Sequence, residues 1–344
     1  MVILGRRDQR GPTGRLGHYR AQDGSQGGAV ELDLDRPHVA VVVGKRGSGK
    51  SYTLAVLAEE LARTDGVAPV VVDPMGAFQT LNESPVGARV DRPTIAPDAL
   101  DARAWCRLLD VDPASGAGAL IWQAAAEHET LAAIRQRVET AAAPDTVRQA
   151  ALNHLRLAAS WRVFDDTGRD ASDICAAPRV LDLSGVDRAP ANAALAATAD
   201  LLYEAREAGR LDRMPWLLVD EAHAFDGSVA GPSLERLLTR GRQPGVSVVL
   251  ATQRPSALPT VATSQSDLLV AHRLTDRTDR EALADARPGY VDGTLLERLP
   301  TVPGDALLVD DATESAHAIR VRQRDTPDGG ASPRVSDGLH VARD

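Results

Sequence analysis

The most constraining feature of the 344-residue sequence is the run HVAVVVGKRGSGKSYTLAVL, in which a glycine-rich loop separates an apolar stretch from a helix-like one. Gly44, Gly49, Lys50 and Ser51 have the spacing G-x-x-x-x-G-K-S, which is the pattern of a phosphate-binding loop. Glycines let backbone N–H groups converge on a phosphate, and the positive end of the following helix points at it. The remaining candidate contacts to a nucleotide are Lys45, Arg46, Gly47, Ser48 and Tyr52.

This loop predicts ATP and Mg²⁺ as cofactors. We expect Lys50 to reach the β and γ oxygens of the nucleotide and Ser51 to ligate Mg²⁺. Among the 39 Lys and Arg residues of the chain, only Lys45 and Lys50 are lysines. A compact ammonium fits between phosphates where a planar guanidinium does not, so the retention of Lys50 in an arginine-rich chain supports its assignment.

Short apolar runs predict seven strands. They are residues 39–43, 70–72, 180–183, 217–219, 246–250, 268–270 and 306–309. Most are continuous rather than alternating, which is typical of parallel strands covered on both faces. Helix-like stretches at 52–62, 191–208 and 234–239 lie between them. The pattern predicts an α/β fold with a mostly parallel central sheet flanked by helices.

Composition suggests how the rest of the chain is organised. Residues 1–30 and 325–344 are rich in Gly and polar residues without an apolar period, and we expect both to be flexible tails. Residues 31–324 would form one domain. Within it, residues 98–177 are Ala-rich and helix-like, which predicts a helical insertion.

A second chemical motif follows a later strand. In PWLLVDEAHAF, Asp220 and Glu221 come directly after an apolar run, as in a Walker B motif. We expect Asp220 to hold Mg²⁺ and Glu221 to polarise the attacking water. The next strand ends near Gln253, a candidate sensor of the γ-phosphate. His223 completes a literal D-E-A-H, and we interpret it as a packing or supporting residue.

Two arginines are candidates for contact with a neighbouring subunit. Arg240 and Arg242, in LLTRGRQPG, lie at a helix end and in a turn before the next predicted strand. An arginine so placed in a ring ATPase reaches the nucleotide of the adjacent subunit. A solvated surface role for either one alone is equally well supported by the sequence.

Several classes of protein are disfavoured. The formal net charge of −9 argues against a chain that coats a polyanion with its whole surface. No apolar run is long enough to span a membrane, which predicts a cytoplasmic protein. Cys106 and Cys175 have no disulfide or zinc spacing. Too few residues follow Gln253 for the second lobe of a DEAH-box helicase, and no lysine follows Lys50 to form the N-K-x-D motif of a Ras-like GTPase.

The motifs together resemble the HerA branch of the HerA/FtsK superfamily of RecA-like motor ATPases. The resemblance rests on GKRGSGKS, VVVDPMGAF, RVLDLSG, WLLVDEAHAF, TRGRQPGVSVVLATQRPSALP and LLVAHRLTD, in the family's order. It implies a RecA-like P-loop fold, a hexameric ring, translocation of double-stranded DNA and a nuclease partner. By the same resemblance Gln253 is the sensor, Arg242 or Arg240 the finger that acts in trans, and Arg273 a second basic contact.

The sequence also departs from this family. Ala77 replaces the acid that follows D-P-x-G in relatives, and the first 35 or so residues cannot form the small β-barrel with which HerA proteins usually begin. Ring formation and the nuclease interface are therefore open.

Two alternatives stand beside the DNA motor. One is a nucleotide-switched regulatory or scaffolding protein, and the other is a motor of the conjugation or secretion type.

Overall fold

The computed structural model describes residues 3–21, 23–285 and 295–329. Its strands are β1 Ile3–Leu4, β2 Thr13–Arg20, β3 Gln26–Asp33, β4 Val39–Val43, β5 Val67–Asp73, β6 Arg89–Asp91, β7 Arg179–Asp182, β8 Met214–Val219, β9 Ser247–Thr252, β10 Leu268–Ala271, β11 Asp305–Asp310 and β12 Ser315–Val321. Its α-helices are α1 Lys50–Ala62, α2 Ala102–Leu108, α3 Gly116–Glu127, α4 Leu131–Glu139, α5 Asp145–Ser160, α6 Ala171–Cys175, α7 Arg188–Glu207, α8 Gly231–Arg240, α9 Thr260–Ser264 and α10 Arg277–Asp285.

The strands form one sheet in the order β1-β3-β2-β12-β11-β10-β4-β9-β8-β5-β7-β6. From β10 to β6 every neighbouring pair is parallel. All seven strands predicted from the apolar runs are present, six of them in this parallel region and the seventh as β11. The α/β prediction is therefore confirmed. Beyond β10 the sheet continues with antiparallel strands β11, β12 and β2.

Both faces of the parallel region are covered, which explains why its strands read as continuous apolar runs. Helix α1 packs on one face through buried residues such as Leu54 and Leu61. The Ala-rich helix α7, together with α8 and the helices α2–α5, packs on the other. Burial on both faces leaves no position for an alternating polar residue.

The predicted tail over residues 1–30 is wrong, because these residues contribute β1, β2 and most of β3 to the sheet. The hairpin of β2 and β3 buries Leu16 and Val30. Gly17 has a structural role, because a Cβ there would lie 2.0 Å from the carbonyl oxygen of Arg320 on β12. The glycine content that suggests a flexible tail instead permits close pairing of two strands.

At the other end, residues 325–329 are not free as predicted. Thr326 is buried, and its backbone N–H donates to Glu59 on α1 at 2.9 Å. The rest of the predicted tail, residues 330–344, lies outside the described residues.

The segment predicted as a helical insertion contains helices α2–α6, between β6 and β7. Side-chain caps fix helix starts; for example, Asp101 accepts from the N–H of Ala104. The buried Trp105 ring stacks on Phe164 at a centroid distance of 4.8 Å. These helices share a continuous core with α7. No helix in the described residues is both long and apolar enough to cross a membrane.

Candidate functional site

The loop between β4 and α1 has the backbone that its glycines allow. Gly47 and Gly49 have φ of 73° and 120°, and Gly49 directly precedes the first residue of α1. Gly44 is needed for space, since a Cβ there would lie 2.4 Å from the Oγ of Ser48 and 2.7 Å from the Cβ of His272. The loop thus curls back over the start of α1, as a phosphate-binding loop must.

Lys50 begins α1 and its side chain is buried. Its Nζ lies 3.5 Å from the carbonyl oxygen of Lys45, within the same loop. Burial lowers the pKa of Lys50, while the charges of Glu221 and Asp220 act in the opposite direction. An anionic ligand in the loop would offset that desolvation and hold the ammonium in its charged form.

Ser51 and Asp220 come together although 169 residues separate them. The Ser51 Oγ donates to the Asp220 Oδ2 at 2.8 Å, and the Asp220 Oδ1 accepts from the N–H of Glu221 at 3.0 Å. Burial raises the pKa of Asp220 against the lowering effect of the Ser51 hydrogen bond. A hydroxyl and a carboxylate oxygen at this separation fit the oxygen preference of Mg²⁺, which takes few protein ligands when it binds with phosphates.

Glu221 follows Asp220 in the left-handed region, at φ 48°, which non-glycine residues seldom adopt. Its Oε2 is 3.3 Å from the Nδ1 of His223, and that nitrogen is 3.2 Å from the Oγ1 of Thr252. Burial, reinforced by Arg254 and Lys50, lowers the pKa of His223, so the imidazole is neutral near pH 7. Within the described residues the buried Oε2 of Glu221 makes no hydrogen bond, so its capacity to accept one is unused.

One cavity of about 1070 Å³ joins these groups. The predicted site residues that line it are Arg46, Gly47, Gly49, Lys50, Ser51, Tyr52, Asp220 and Glu221. Gly44, Lys45 and Ser48 are not among its lining residues and instead shape the loop. Gln253 follows β9 on the same edge of the sheet, and it also lies outside this lining.

Arg240 and Arg242 lie elsewhere. Arg240 ends α8, and Arg242 is in the turn before β9, at the amino-terminal edge of the sheet. The phosphate loop lies at the carboxyl edge, roughly one strand length or 17–20 Å away. The exposed guanidinium of Arg242 pairs with Asp267 at 2.8 Å. Neither arginine lines the cavity of its own chain, so contact with a nucleotide would require a second chain.

His272 is a site residue that the sequence analysis missed. It is fully buried beneath the loop, its Nε2 is 2.9 Å from the Oγ1 of Thr53, and its Nδ1 is 2.9 Å from the carbonyl oxygen of Asp305. Burial lowers its pKa to about 4, so it is a neutral support. Its position directly after an apolar strand, β10, is the sequence feature that could have indicated this role. The carbonyl oxygen of the next residue, Arg273, accepts from the N–H of Lys45.

The sequence analysis also missed the far end of the cavity. This end is formed by the antiparallel strands and the residues after β12. Its lining includes His18, Gln26, Arg320, Gln323 and Asp328. No motif marks these residues, because they come from segments about 300 positions apart along the chain.

Part of the sequence matches the model of a known protein family. Residues 16–168 match the family described as helicase HerA, central domain. The match confirms the HerA-like resemblance. It covers the phosphate loop and most of the helical insertion, and it ends before Asp220 and Glu221. No curated protein sequence matches this HerA-like chain significantly.

Two solved structures have a similar fold. VirB4 of Thermoanaerobacter pseudethanolicus is 17% identical, with a TM-score of 0.65 over 92% of this chain and 98% of the VirB4 chain. The bacterial conjugative coupling protein TrwBdeltaN70, in its unbound monoclinic form, is also 17% identical, with a TM-score of 0.60 over 88% of each chain. At this identity the likeness shows that the HerA-like chain shares the RecA-like P-loop fold with both.

Proposed function

We propose that this HerA-like protein is a Mg²⁺-dependent ATP hydrolase. The observation that carries the proposal is the 2.8 Å hydrogen bond between the Ser51 hydroxyl and the Asp220 carboxylate. It brings the end of β8 to the start of α1 inside one cavity, with Lys50 and Glu221 beside it. This is the set of groups that phosphoryl transfer to water requires.

The residues divide the work between binding and activation. Lys50 and the N–H groups of the loop would hold the β- and γ-phosphates and neutralise their charge. Glu221 would orient the attacking water and accept its proton. Neutral His223 lies between Glu221 and Thr252 and would hold the Glu221 carboxylate near the carboxyl end of β8. Mg²⁺ held by Ser51 and Asp220 would supply further charge stabilisation to the phosphates.

We further propose that the ATPase drives movement of double-stranded DNA as a homo-oligomeric ring of six chains, with a nuclease as a candidate partner. The HerA match of residues 16–168 supports this assignment. Arg240 and Arg242 lie away from the cavity of their own chain, so in such an assembly they would contact the nucleotide of a neighbouring chain. The exposed side chain of Arg242, held by Asp267, is the better placed of the two.

A motor of the conjugation type is a second candidate. It is favoured by the fold likeness to VirB4 and to a conjugative coupling protein over most of the chain. The two candidates share the ATPase site and differ in the cargo that the motor moves.

The test is the ATPase rate with and without linear duplex DNA, combined with the particle mass in solution. We expect DNA to stimulate turnover of a particle of about six chains. Lys50→Ala and Glu221→Gln should each lower the rate by about 100-fold or more, the latter with nucleotide binding retained. Arg242→Ala should lower the rate without weakening nucleotide binding.

Glu235→Gln is a matched control for the loss of one acid, because Glu235 is exposed on α8 and outside the cavity. It should hydrolyse ATP at the wild-type rate. A monomer that binds ATP and ignores DNA would contradict the motor and favour a nucleotide-switched scaffolding protein. Full hydrolysis by Lys50→Ala would contradict the ATPase site itself.

A further inference from the structure

The cavity has two chemically different ends. The first holds Lys50, Ser51, Asp220 and Glu221, and it suits phosphates. The second lies against the antiparallel part of the sheet and the segment after β12. The whole cavity has a volume of about 1070 Å³, which is at the upper limit for a small-molecule site. Phosphates alone would therefore leave its second end unfilled.

Sheet order sets the direction in which a nucleotide would lie. Strand β8, with Asp220 and Glu221 at its end, is two positions from β4 on one side. Strand β12 is three positions from β4 on the other side. If the terminal phosphate faces Glu221, the chain of phosphates crosses the start of α1 and the nucleoside extends toward β11 and β12.

The segment 322–329, which we name the C-terminal strap, is fixed to the same helix that begins with Lys50. Glu59 of α1 is fully buried. Its carboxylate accepts from the N–H of Asp325 at 3.0 Å, and from the N–H and Oγ1 of Thr326 at 2.9 and 2.7 Å. Arg322 pairs with the same carboxylate at 2.8 Å. A buried carboxylate with this many donors is a strong anchor.

The strap also touches the residue that follows the phosphate loop. The N–H of Arg324 donates to the hydroxyl of Tyr52 at 2.8 Å, and its guanidinium lies 6.0 Å from the centre of the Tyr52 ring. Tyr52 lines the cavity next to Ser51. The strap therefore holds an aromatic side chain at the point where the phosphate end meets the second end.

The second end carries groups that suit a sugar and a base. Arg320 and Gln323 offer hydrogen-bond donors, and Gln26 and His18 face the same space from β3 and β2. The backbone of Gly304 forms the floor, where its N–H donates to the Ser48 carbonyl at 3.0 Å. Polar groups around a partly apolar cleft are typical of a small-molecule site.

We propose that this second end binds the nucleoside part of a nucleoside triphosphate, and that Glu59 is the positioning residue that holds its wall. The inference rests on the proposed ATPase function. It assigns recognition of the sugar and base to the strap, β2, β3 and β12, none of which belongs to the parallel core.

The experiment compares equilibrium binding of ATP with binding of inorganic tripolyphosphate, both with Mg²⁺. Gln323→Ala and Glu59→Gln should weaken ATP binding about tenfold and leave tripolyphosphate binding within twofold of the wild type. Lys50→Ala should weaken both ligands. Gln136→Ala, at an exposed position on α4, is the matched control and should change neither.

Gln323 is exposed, so its variant reports on the wall even if Glu59→Gln does not fold. Equal losses for ATP and tripolyphosphate in Gln323→Ala, or no loss for either, would overturn this inference and leave the ATPase proposal standing. Failure of the wild type to bind either ligand would overturn both proposals.

Discussion

A buried imidazole at the amino-terminal edge of the sheet offers a quantitative test of the structure. His38, just before β4, is 2% exposed. Its Nδ1 is 2.7 Å from the Oδ2 of Asp267 and its Nε2 is 3.4 Å from the Oδ2 of Asp33. Arg6 and Arg242 pair with these two acids from the other side. The ring thus sits between two carboxylates that are themselves held by guanidinium groups.

The charged state of His38 should stabilise the fold. Burial alone lowers its pKa, but the hydrogen bond to Asp267 and the nearby charges of Asp267 and Asp33 outweigh burial and raise it from 6.5 to about 9. A shift of this size corresponds to about 3 kcal/mol of folding free energy. Because the pKa is raised on folding, this contribution is complete below pH 6.5, and it is lost as the pH rises through about 9.

The perturbation is His38→Gln, which keeps a hydrogen-bond donor and removes the charge. Urea denaturation of both proteins between pH 6 and pH 10 gives the difference in their free energies of unfolding. Trp216, whose ring centre is 5.7 Å from that of His38, provides a fluorescence signal. We expect the difference to be about 3 kcal/mol larger at pH 6 than at pH 10.

His154→Gln, on α5 and outside this network, is the control and should follow the wild type across the pH range. If the curves of wild type and His38→Gln run parallel from pH 6 to pH 10, His38 is not charged between the two acids. The reasoning about the network, including the placement of Arg242 by Asp267, would then be refuted.

Three further outcomes follow from the contacts described above. Gly44→Ala should abolish nucleotide binding in equilibrium titrations while circular dichroism stays native, because its Cβ would meet Ser48 at 2.4 Å and His272 at 2.7 Å. Trp105→Ala should lower the free energy of unfolding by about 3–5 kcal/mol in urea titrations, since this fully buried ring joins the helical insertion to the core. Ser51→Ala should raise the Mg²⁺ concentration for half-maximal ATPase about tenfold, and chelation should stop hydrolysis by the wild type; wild-type turnover in excess chelator would argue against the metal site.

The parallel part of the fold could be predicted because its signal is local. Strands such as β4 and β8 are buried on both faces, and a short stretch of sequence shows this as an unbroken apolar run. The hairpin of β2 and β3 gives no such signal. Its apolar residues, such as Leu16 and Val30, are few and lie among glycines, of which Gly17 is needed for close pairing with β12.

The candidate site divides in the same way. The phosphate end follows from spacing within two short motifs, and the structure brings Ser51 and Asp220 into hydrogen-bond distance. The sequence places Arg242 in a turn before a strand, as observed, but it could not show that the guanidinium pairs with Asp267, because that contact depends on the folding of the chain between them. The contact between Glu59 and the strap could not be predicted either. An acid in an amphipathic helix is ordinarily exposed, and the partners of Glu59 are more than 260 residues away along the chain.

The two ends of the described chain meet on α1, the helix that begins with Lys50. Glu60 accepts from the N–H of Arg15 on β2 at 2.9 Å and pairs with Arg322 of the C-terminal strap at 2.7 Å. Its neighbour Glu59 anchors the strap from the buried side of α1. Since Lys50 begins this helix, both the hairpin and the strap are fixed to the element that carries Lys50. The antiparallel extension is therefore joined to the candidate nucleotide site through α1, even though no nucleotide-binding motif lies in it.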